Sequence, residues 1–349
     1  MVKSFPLITF SILTGLLFAS PPVKVQPNIE REYSGILWFP HKKAVQRSVE
    51  NLSREEQLII QIFLDEHDFA PGVLDGAIGT FSERAVEAYY SSIGHPPSSN
   101  YELILKHAFD YKNLPFRLVT IPASAQDYIT PNLPTKYSEM AEFKQAHYRT
   151  YAEYIAERYH TSMKFLVALN GVKKANSLLP GSIVIVPNVR PFLIEEVPKS
   201  AYKEDQFLTS NFAIIDTKLK TMHIYSREAG AKSPPIAFFP ITPGSQSQIK
   251  YGEWEIKNSI PYPTWRYDPL VLKGTGRSDD ADTYNVPPGP NNPVGMIWNG
   301  LNAKSVGIHG TNTPETIGRS TSSGCIRMSN WDVAKLPTYL SPGCTVIIQ

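Results

Sequence analysis

Two short runs of sequence, joined by a polar loop, decide what the C-terminal part of the chain is expected to become. Residues 305–309 read Ser-Val-Gly-Ile-His, and residues 323–328 read Ser-Gly-Cys-Ile-Arg-Met. The first run alternates in the way that predicts a strand, and this strand would end at His309. The second run opens on a Ser-Gly turn, which lets backbone N–H groups converge near the thiol of Cys325. Together the two runs predict a site that contains a histidine and a cysteine.

A cysteine beside a histidine is a recognised arrangement for acyl transfer. A free thiol has a pKa of about 8.5 and is mostly protonated at neutral pH. An imidazole can take that proton and leave a good nucleophile. Converging amides could stabilise an oxyanion, and Arg327 offers a forked donor to a carboxylate. Cysteine is also among the most often buried residues, so spacing alone leaves a coincidental pairing open.

The sequence around these runs indicates a mostly-β region with long loops. From residue 207 to residue 349 the chain shows short alternating apolar runs separated by turn-rich stretches. The runs predicted to be strands are 212–215, 222–225 and 236–239. Long loops on a β scaffold often carry function.

This region resembles the catalytic domain of the L,D-transpeptidase (YkuD-type) family. The stretch from His309 to Arg327 looks like the family signature, in which a His-Gly pair precedes a Gly-Cys-aliphatic-Arg run. Residues 288–295, Pro-Gly-Pro-Asn-Asn-Pro-Val-Gly, match a second family stretch. Residues 252–256 sit where the family shows a Gly-x-Phe-x-Ile strand, and residues 343–348 match its closing strand.

The resemblance implies a role for each residue of the site. Cys325 would be the nucleophile and His309 the general base, with the Gly310 carbonyl orienting the imidazole. Three further residues would supply the oxyanion hole and support the site: Ser323, Gly324 and Arg327. Ser323 replaces the histidine that the family usually places before Gly-Cys, which concentrates the role of base on His309.

The same resemblance implies the substrate. Such an enzyme forms a thioester with a peptidoglycan stem tetrapeptide, releases D-alanine and forms 3–3 cross-links. Some members attach an outer-membrane lipoprotein instead, and others hydrolyse such bonds. The alternatives are therefore an L,D-carboxypeptidase or peptidase, and a non-catalytic wall-binding protein.

A chain of 349 residues is too long for one ordinary core, and a multidomain α+β architecture is expected. Residues 49–115 predict a small helical module, since apolar residues recur at helical spacing and Thr80 or Ser82 could cap its second helix. The loop 69–79 and its flanking helices resemble the peptidoglycan-binding domain type 1.

The middle of the chain predicts a connector and a second small module. Residues 116–147 are the connector, with one strand at 116–121. Residues 148–190 predict helix, helix and strand, and resemble a LysM domain, which is an α/β module that binds glycan. The usual Gly-Asp-Thr entry is missing, so a packing spacer and a glycan-binding site are both open.

The N-terminus predicts export. Residues 1–24 contain an apolar stretch after Lys3 that is short for a membrane span, so a signal peptide or a membrane anchor is expected, followed by a linker over 25–48. The protein would then work in the periplasm or cell envelope.

The charge, histidine content and cysteine content of the chain argue against several other functions. The net charge of +2 gives no electrostatic case for nucleic-acid binding. Eight histidines are scattered singly, so a protein metal site is not expected, and no sequence motif indicates another cofactor. Besides Cys325 the chain has Cys344, which we interpret as a small core residue, although a bridge between the two cysteines stays open.

Overall fold

The structure is a computed structural model that describes residues 47–226, 233–273, 275 and 283–349. The predicted export segment, residues 1–24, and nearly all of the linker lie outside the described residues. Within the described part of the chain, no helix is long and apolar enough to cross a membrane.

Three helices form the first module, as the spacing of apolar residues predicts. They are α1 (Arg54–Glu66), α2 (Thr80–Ser92) and α3 (Glu102–Tyr111). A capping box between Ser53 and Glu56 starts α1 by satisfying two free backbone N–H groups. The expected cap of α2 by Thr80 or Ser82 is wrong. The N-cap is Gly79, and the Ser82 hydroxyl instead donates to the carbonyl of Pro71, which closes the preceding loop.

The middle module contains a two-stranded sheet. Strand β1 (Phe116–Thr120) pairs antiparallel with β2 (Ile183–Pro187). The first segment of the expected connector is therefore part of the same sheet as the strand of the LysM-like module. Four helices lie between the two strands: α4 (Tyr137–Met140), α5 (Tyr151–Arg158), α6 (Met163–Asn170) and α7 (Val172–Ala175).

The C-terminal region is mostly β, as expected, and its main sheet has eight strands within the described residues. The strands are β3 (Asn211–Asp216), β4 (Thr221–Ser226), β5 (Ala237–Pro240), β6 (Gly252–Pro261), β9 (Ile297–Leu301), β10 (Gly307–His309), β11 (Ile326–Arg327) and β12 (Thr345–Ile348). Their order is β11-β10-β9-β6-β12-β3-β4-β5. The pairs β10–β11 and β12–β3 are parallel, and the other neighbours are antiparallel.

Shorter elements are found outside this sheet. A separate hairpin consists of β7 (Trp265–Tyr267) and β8 (Tyr284–Val286). The remaining helices are α8 (Pro269–Lys273) and α9 (Asn330–Lys335). Short 3₁₀ turns lie at Val49–Asn51, Ala123–Tyr128, Ile194–Glu196, Pro314–Thr316 and Leu336–Thr338.

One apolar core runs through all three modules. It contains Leu58 from α1, Tyr154 from α5, Val184 from β2 and Val346 from β12. A second core belongs mainly to the three N-terminal helices, but it also takes in Phe238 from β5. The N-terminal modules are therefore packed against the main sheet and share its buried surface.

Candidate active site

The residues around Cys325 line a cavity of about 240 Å³. This cavity lies where the short strands β10 and β11 end, facing the β7–β8 hairpin and α8. Its lining residues are Trp265, Arg266, Asp268, Val271, Leu272, Pro293, Val294, Trp298, Ser305, His309, Ser322, Ser323, Cys325 and Arg327. The sequence-predicted nucleophile and base thus open into the same space.

His309 is the last residue of β10 and is only 4% exposed. It lies opposite Trp298 of β9 and Arg327 of β11 in the sheet. Its Nδ1 lies 2.7 Å from the Gly310 carbonyl oxygen, and its ring stacks on Trp298 with centroids 5.5 Å apart. Since a carbonyl can only accept, Nδ1 carries the proton and Nε2 of the neutral ring is left as the acceptor.

The surroundings keep this imidazole neutral. Burial lowers the pKa of His309 to about 4, with the Gly310 carbonyl acting in the opposite direction and the Arg327 charge lowering it further. At neutral pH the ring can therefore accept a proton.

The backbone that orients His309 is itself held by Asn330. The Asn330 Oδ1 accepts from the Met296 amide at 3.0 Å. A Cβ on Gly310 would come within 2.2 Å of that oxygen, so only glycine lets the two groups pack this closely. The Asn330 Nδ2 donates to Glu157 of α5 at 3.0 Å. A side chain from the middle module therefore supports the peptide next to the candidate base.

Cys325 lies just before β11 and is partly exposed to the cavity. Its thiol donates to the Ser305 carbonyl at a sulfur–oxygen distance of 3.7 Å. Burial raises the pKa of Cys325, against smaller lowering effects of the Gly307 backbone and Arg327. The resting site is therefore a neutral thiol beside a neutral imidazole rather than a preformed ion pair.

The turn before Cys325 is held in place by the segment that follows β5. Gly324 has a φ of +102°, and a Cβ on Gly244 would lie 2.4 Å from its Cα. Ser322 binds the Cys325 carbonyl through its hydroxyl, and its own carbonyl accepts from the Ser245 amide at 2.8 Å. The side chain of Ser323 is exposed.

The amides of this turn are available to a ligand. Among the hydrogen bonds of the described residues, none is donated by the backbone N–H groups of Ser323, Gly324 or Cys325. Backbone donors without another partner beside a nucleophile are suited to form an oxyanion hole. Arg327 lies beside them, with one guanidinium nitrogen 3.4 Å from the Thr321 carbonyl.

Cys344 is distant from this site. It precedes β12, whereas Cys325 precedes β11, and three strands lie between β11 and β12 in the sheet. At about 4.8 Å per strand the separation is far beyond the reach of a disulfide. Neither thiol is in a disulfide, and the Cys344 Sγ is buried and donates to the Leu208 carbonyl at 3.1 Å. The alternative of a bridge between the cysteines is therefore wrong.

Sequence reasoning did not identify Trp298, Asn330 or Glu157 as parts of this region. The pairing of Trp298 with His309 requires the register of two strands that lie apart along the chain. Ser329 caps α9 by accepting from the Asp332 amide, so the Asn330 side chain is not the cap of this helix. Within the described residues, no group of three or more acidic, histidine or cysteine side chains could hold a metal ion.

Known proteins match the C-terminal region. Residues 210–348 match the family described as L,D-transpeptidase catalytic domain (YkuD). A putative L,D-transpeptidase YkuD of Bacillus licheniformis is 27% identical over 196 residues, which cover 56% of this chain and 92% of that relative. The putative L,D-transpeptidase YkuD of Bacillus subtilis is 46% identical over 60 residues, which cover 17% of this chain and 37% of that relative.

Among solved structures, L,D-transpeptidase 3 from Mycobacterium tuberculosis, in complex with a faropenem-derived adduct, covers 50% of this chain and 76% of its own. The identity is 14% and the TM-score is 0.32, too low to establish a shared fold. The family match covers the sheet, the cavity and both runs of sequence that predicted the site. Residues 210–348 are therefore an L,D-transpeptidase catalytic domain of the YkuD type.

Proposed function

We propose that the protein is a cysteine-dependent L,D-transpeptidase that acts on peptidoglycan stem tetrapeptides. The observation that carries this proposal is the shared cavity, which both Cys325 and the neutral His309 line. The backbone amides of the turn at Cys325 make no other hydrogen bond among the described residues. The family of the catalytic domain acts on peptidoglycan peptides, which gives the substrate class.

In the proposed reaction, the thiol leaves its contact with the Ser305 carbonyl. Sulfur attacks the carbonyl carbon at the L-centre of the third stem residue, while Nε2 of His309 takes the thiol proton. The amides of Ser323, Gly324 and Cys325 would stabilise the oxyanion. The carbon–nitrogen bond to D-alanine then breaks, and His309 returns the proton to the leaving amine.

The second half of the reaction resolves the thioester. An amine from a neighbouring stem attacks the acyl carbon and gives its proton to His309, and the thiol is re-formed as sulfur leaves. The product is a 3–3 cross-link. A lysine amine of an outer-membrane lipoprotein would give an attached lipoprotein by the same steps, and water would give a tripeptide. Gly310 holds the base in position throughout, and Arg327 supports the site or the donor stem.

The other segments of the chain are consistent with an enzyme that acts on peptidoglycan. We assign 49–115 to a peptidoglycan-binding-like module, 116–147 to a connecting region, 148–190 to a LysM-like module and 207–349 to the catalytic domain. Residues 1–24 would act as a signal peptide or inner-membrane anchor, which places the protein in the periplasm or cell envelope.

The test is incubation of the purified protein with a disaccharide tetrapeptide, followed by mass analysis of products and enzyme. We expect loss of D-alanine, a thioester on Cys325 and a cross-linked dimer. If tripeptide forms without dimer, the protein is a carboxypeptidase and not a transpeptidase. Absence of any adduct on Cys325, with a carbapenem as well as with the peptide, would favour the non-catalytic wall-binding alternative.

A further inference from the structure

A second cavity, of about 400 Å³, lies between the helical module and the catalytic domain. We call it the basic groove. It is bounded by the loop and helix start at 71–84, the β3–β4 turn at 218–220, and the 314–319 part of the loop that joins His309 to Cys325. Nothing in the proposed reaction uses this groove.

Cations outnumber carboxylates along the basic groove. Its four cationic residues are Arg84, Lys218, Lys220 and Arg319, against two carboxylates, Asp75 and Glu315. None of these four cations has a carboxylate partner among the ion pairs of the described residues. With four cationic residues against two carboxylates, the lining of the groove carries an excess of positive charge.

Two of the cations are fixed in place by backbone carbonyls. Arg84 of α2 donates to the Leu219 carbonyl, and the Lys220 Nζ donates to the Gly318 carbonyl at 2.6 Å. A carbonyl orients a cation without neutralising it. These side chains are therefore ordered before a ligand arrives, which lowers the entropy cost of binding. Lys218 and Arg319 are exposed at the rim.

The groove is built on the loop that leads to the nucleophile. The Gly318 amide donates to the Thr242 hydroxyl at 2.7 Å, and the Phe81 ring occupies the space that a Cβ on Gly318 would need. The same loop continues to Ser322 at the active-site cavity. Only two residues, Ser320 and Thr321, separate Arg319 of the groove from Ser322 of the active-site cavity.

We propose that the basic groove binds carboxylates of a second stem peptide, one carried by the same peptidoglycan polymer as the stem at Cys325. This proposal rests on the proposed function for its substrate class. Guanidinium and ammonium groups are the natural partners of carboxylates, and arginine binds them in a forked geometry. The basic groove would increase the affinity for polymeric peptidoglycan and would make no contact with the bond that reacts at Cys325.

The experiment compares two double variants in the full chain. Lys218→Gln with Arg319→Gln removes the two exposed groove cations. Lys203→Gln with Lys257→Gln removes two exposed cations elsewhere and is the matched control. Binding to purified sacculi is measured in a Cys325→Ala background, so that this result does not depend on turnover. Acylation by a carbapenem is measured with Cys325 intact.

We expect the groove variant to bind sacculi about tenfold more weakly than wild type, with a smaller dependence on salt, and the control to bind normally. Carbapenem acylation should be equal in all three proteins. Equal binding of sacculi by the groove variant and the control would overturn the proposal. A parallel loss of acylation would also overturn it, because the effect would then belong to the active site.

Two treatments of the sacculi identify the ligand. Amidation of stem carboxylates should reduce wild-type binding to the level of the groove variant, whereas removal of phosphate polymers should leave the difference unchanged. If binding falls on removal of phosphate polymers but not on amidation, the ligand is a phosphate polymer and the proposal of stem carboxylates is refuted. Failure of the proposed function appears separately, as absence of an adduct on Cys325.

Discussion

Two buried histidines, His309 and His160, have similar surroundings, but we propose different roles for them. Each ring stacks on a tryptophan, at 5.5 Å on Trp298 for His309 and at 5.3 Å on Trp331 for His160. The Nδ1 of His309 binds a backbone carbonyl. The Nδ1 of His160 lies 3.0 Å from the carboxylate of Asp65.

Of the two, His160 has the partner of a familiar catalytic triad. Its carboxylate, however, also binds Lys335 at 3.1 Å, and the three side chains join α1, the end of α5 and α9. Burial alone would raise the pKa of Asp65, but the charges of His160 and Lys335 hold it well below its usual range. This cluster fastens modules together. We infer from this comparison that the base of the proposed reaction is identified by a cysteine in the same cavity and not by an acidic partner.

The largest effect is expected from removing the nucleophile. Cys325→Ala should reduce acylation by a carbapenem at least about 10⁴-fold, because no other thiol lines the cavity. Intact-mass measurement of the adduct is the readout, and Cys344→Ala is the control that should still be acylated. An adduct of normal mass and rate on Cys325→Ala would remove the basis of the proposed function.

Replacing His309 and His160 separately by glutamine tests whether each residue acts in acylation or in stability. His309→Gln should slow acylation about 10²- to 10⁴-fold with little loss of stability, because it removes the base. His160→Gln should change the acylation rate by less than about threefold, and should lower the free energy of unfolding by about 1–3 kcal/mol. Stopped-flow acylation and urea denaturation measure the two quantities. If His160→Gln slows acylation and His309→Gln only lowers stability, His160 is the base and His309 has the structural role.

The pH dependence of acylation should show the lowered pKa of His309. The ring acts as base only when neutral, so activity is lost as the pH falls through about 4. A histidine with an ordinary pKa of about 6.5 would lose about 90% of its base form at pH 5.5. We expect the rate at pH 5.5 to stay within about twofold of the rate at pH 7. Half-maximal rate near pH 6.5, in protein that circular dichroism shows to be folded, would disprove this.

The two buried carboxyl groups, Glu157 and Asp65, have pKa values that are shifted in opposite directions. Burial raises the pKa of Glu157, behind Asn330, to about 8. It therefore binds more protons in the folded state, and its contribution to stability is lost as pH rises from about 5 to about 8. Asp65, with its lowered pKa, contributes stability that is lost only in acid.

Glu157→Gln should reduce the loss of unfolding free energy between pH 5 and pH 8 by about 1–3 kcal/mol. Urea denaturation at a series of pH values measures it, and Glu87→Gln on an exposed face of α2 is the control. An unchanged slope would mean that Glu157 is already charged at neutral pH.

The smallest effect is expected at Ser323, which stands where the family usually has a histidine. Its side chain is exposed, and its proposed role uses the backbone N–H alone. Ser323→Ala should change the acylation rate by less than about threefold. A loss of tenfold or more would give the hydroxyl a part in activating the thiol.

The sequence predicted local features well. Strand alternation located His309 at the end of β10, and helical spacing located α1, α2 and α3. These patterns work because they depend on neighbours along the chain. The resemblance to the L,D-transpeptidase family then identified Cys325 as the residue to place beside that histidine.

Features that depend on packing between distant segments could not be predicted in the same way. The stacking of Trp298, the contact between Glu157 and Asn330, and the basic groove all join residues far apart in sequence. No local pattern encodes them. The pairing of β1 with β2 across the middle module is a further example.

The packing of Asn330 against two glycines has a consequence for how this sequence can vary. A Cβ at Gly295 or Gly310 would each come within 2.2 Å of the same Asn330 oxygen. A mutation at any one of the three positions therefore changes which residues the other two tolerate. In a library that randomises all three, we expect functional clones to retain the Gly-Gly-Asn combination or to change it as a set. The peptide that orients the base would then appear in the selected sequences as a block of three linked positions.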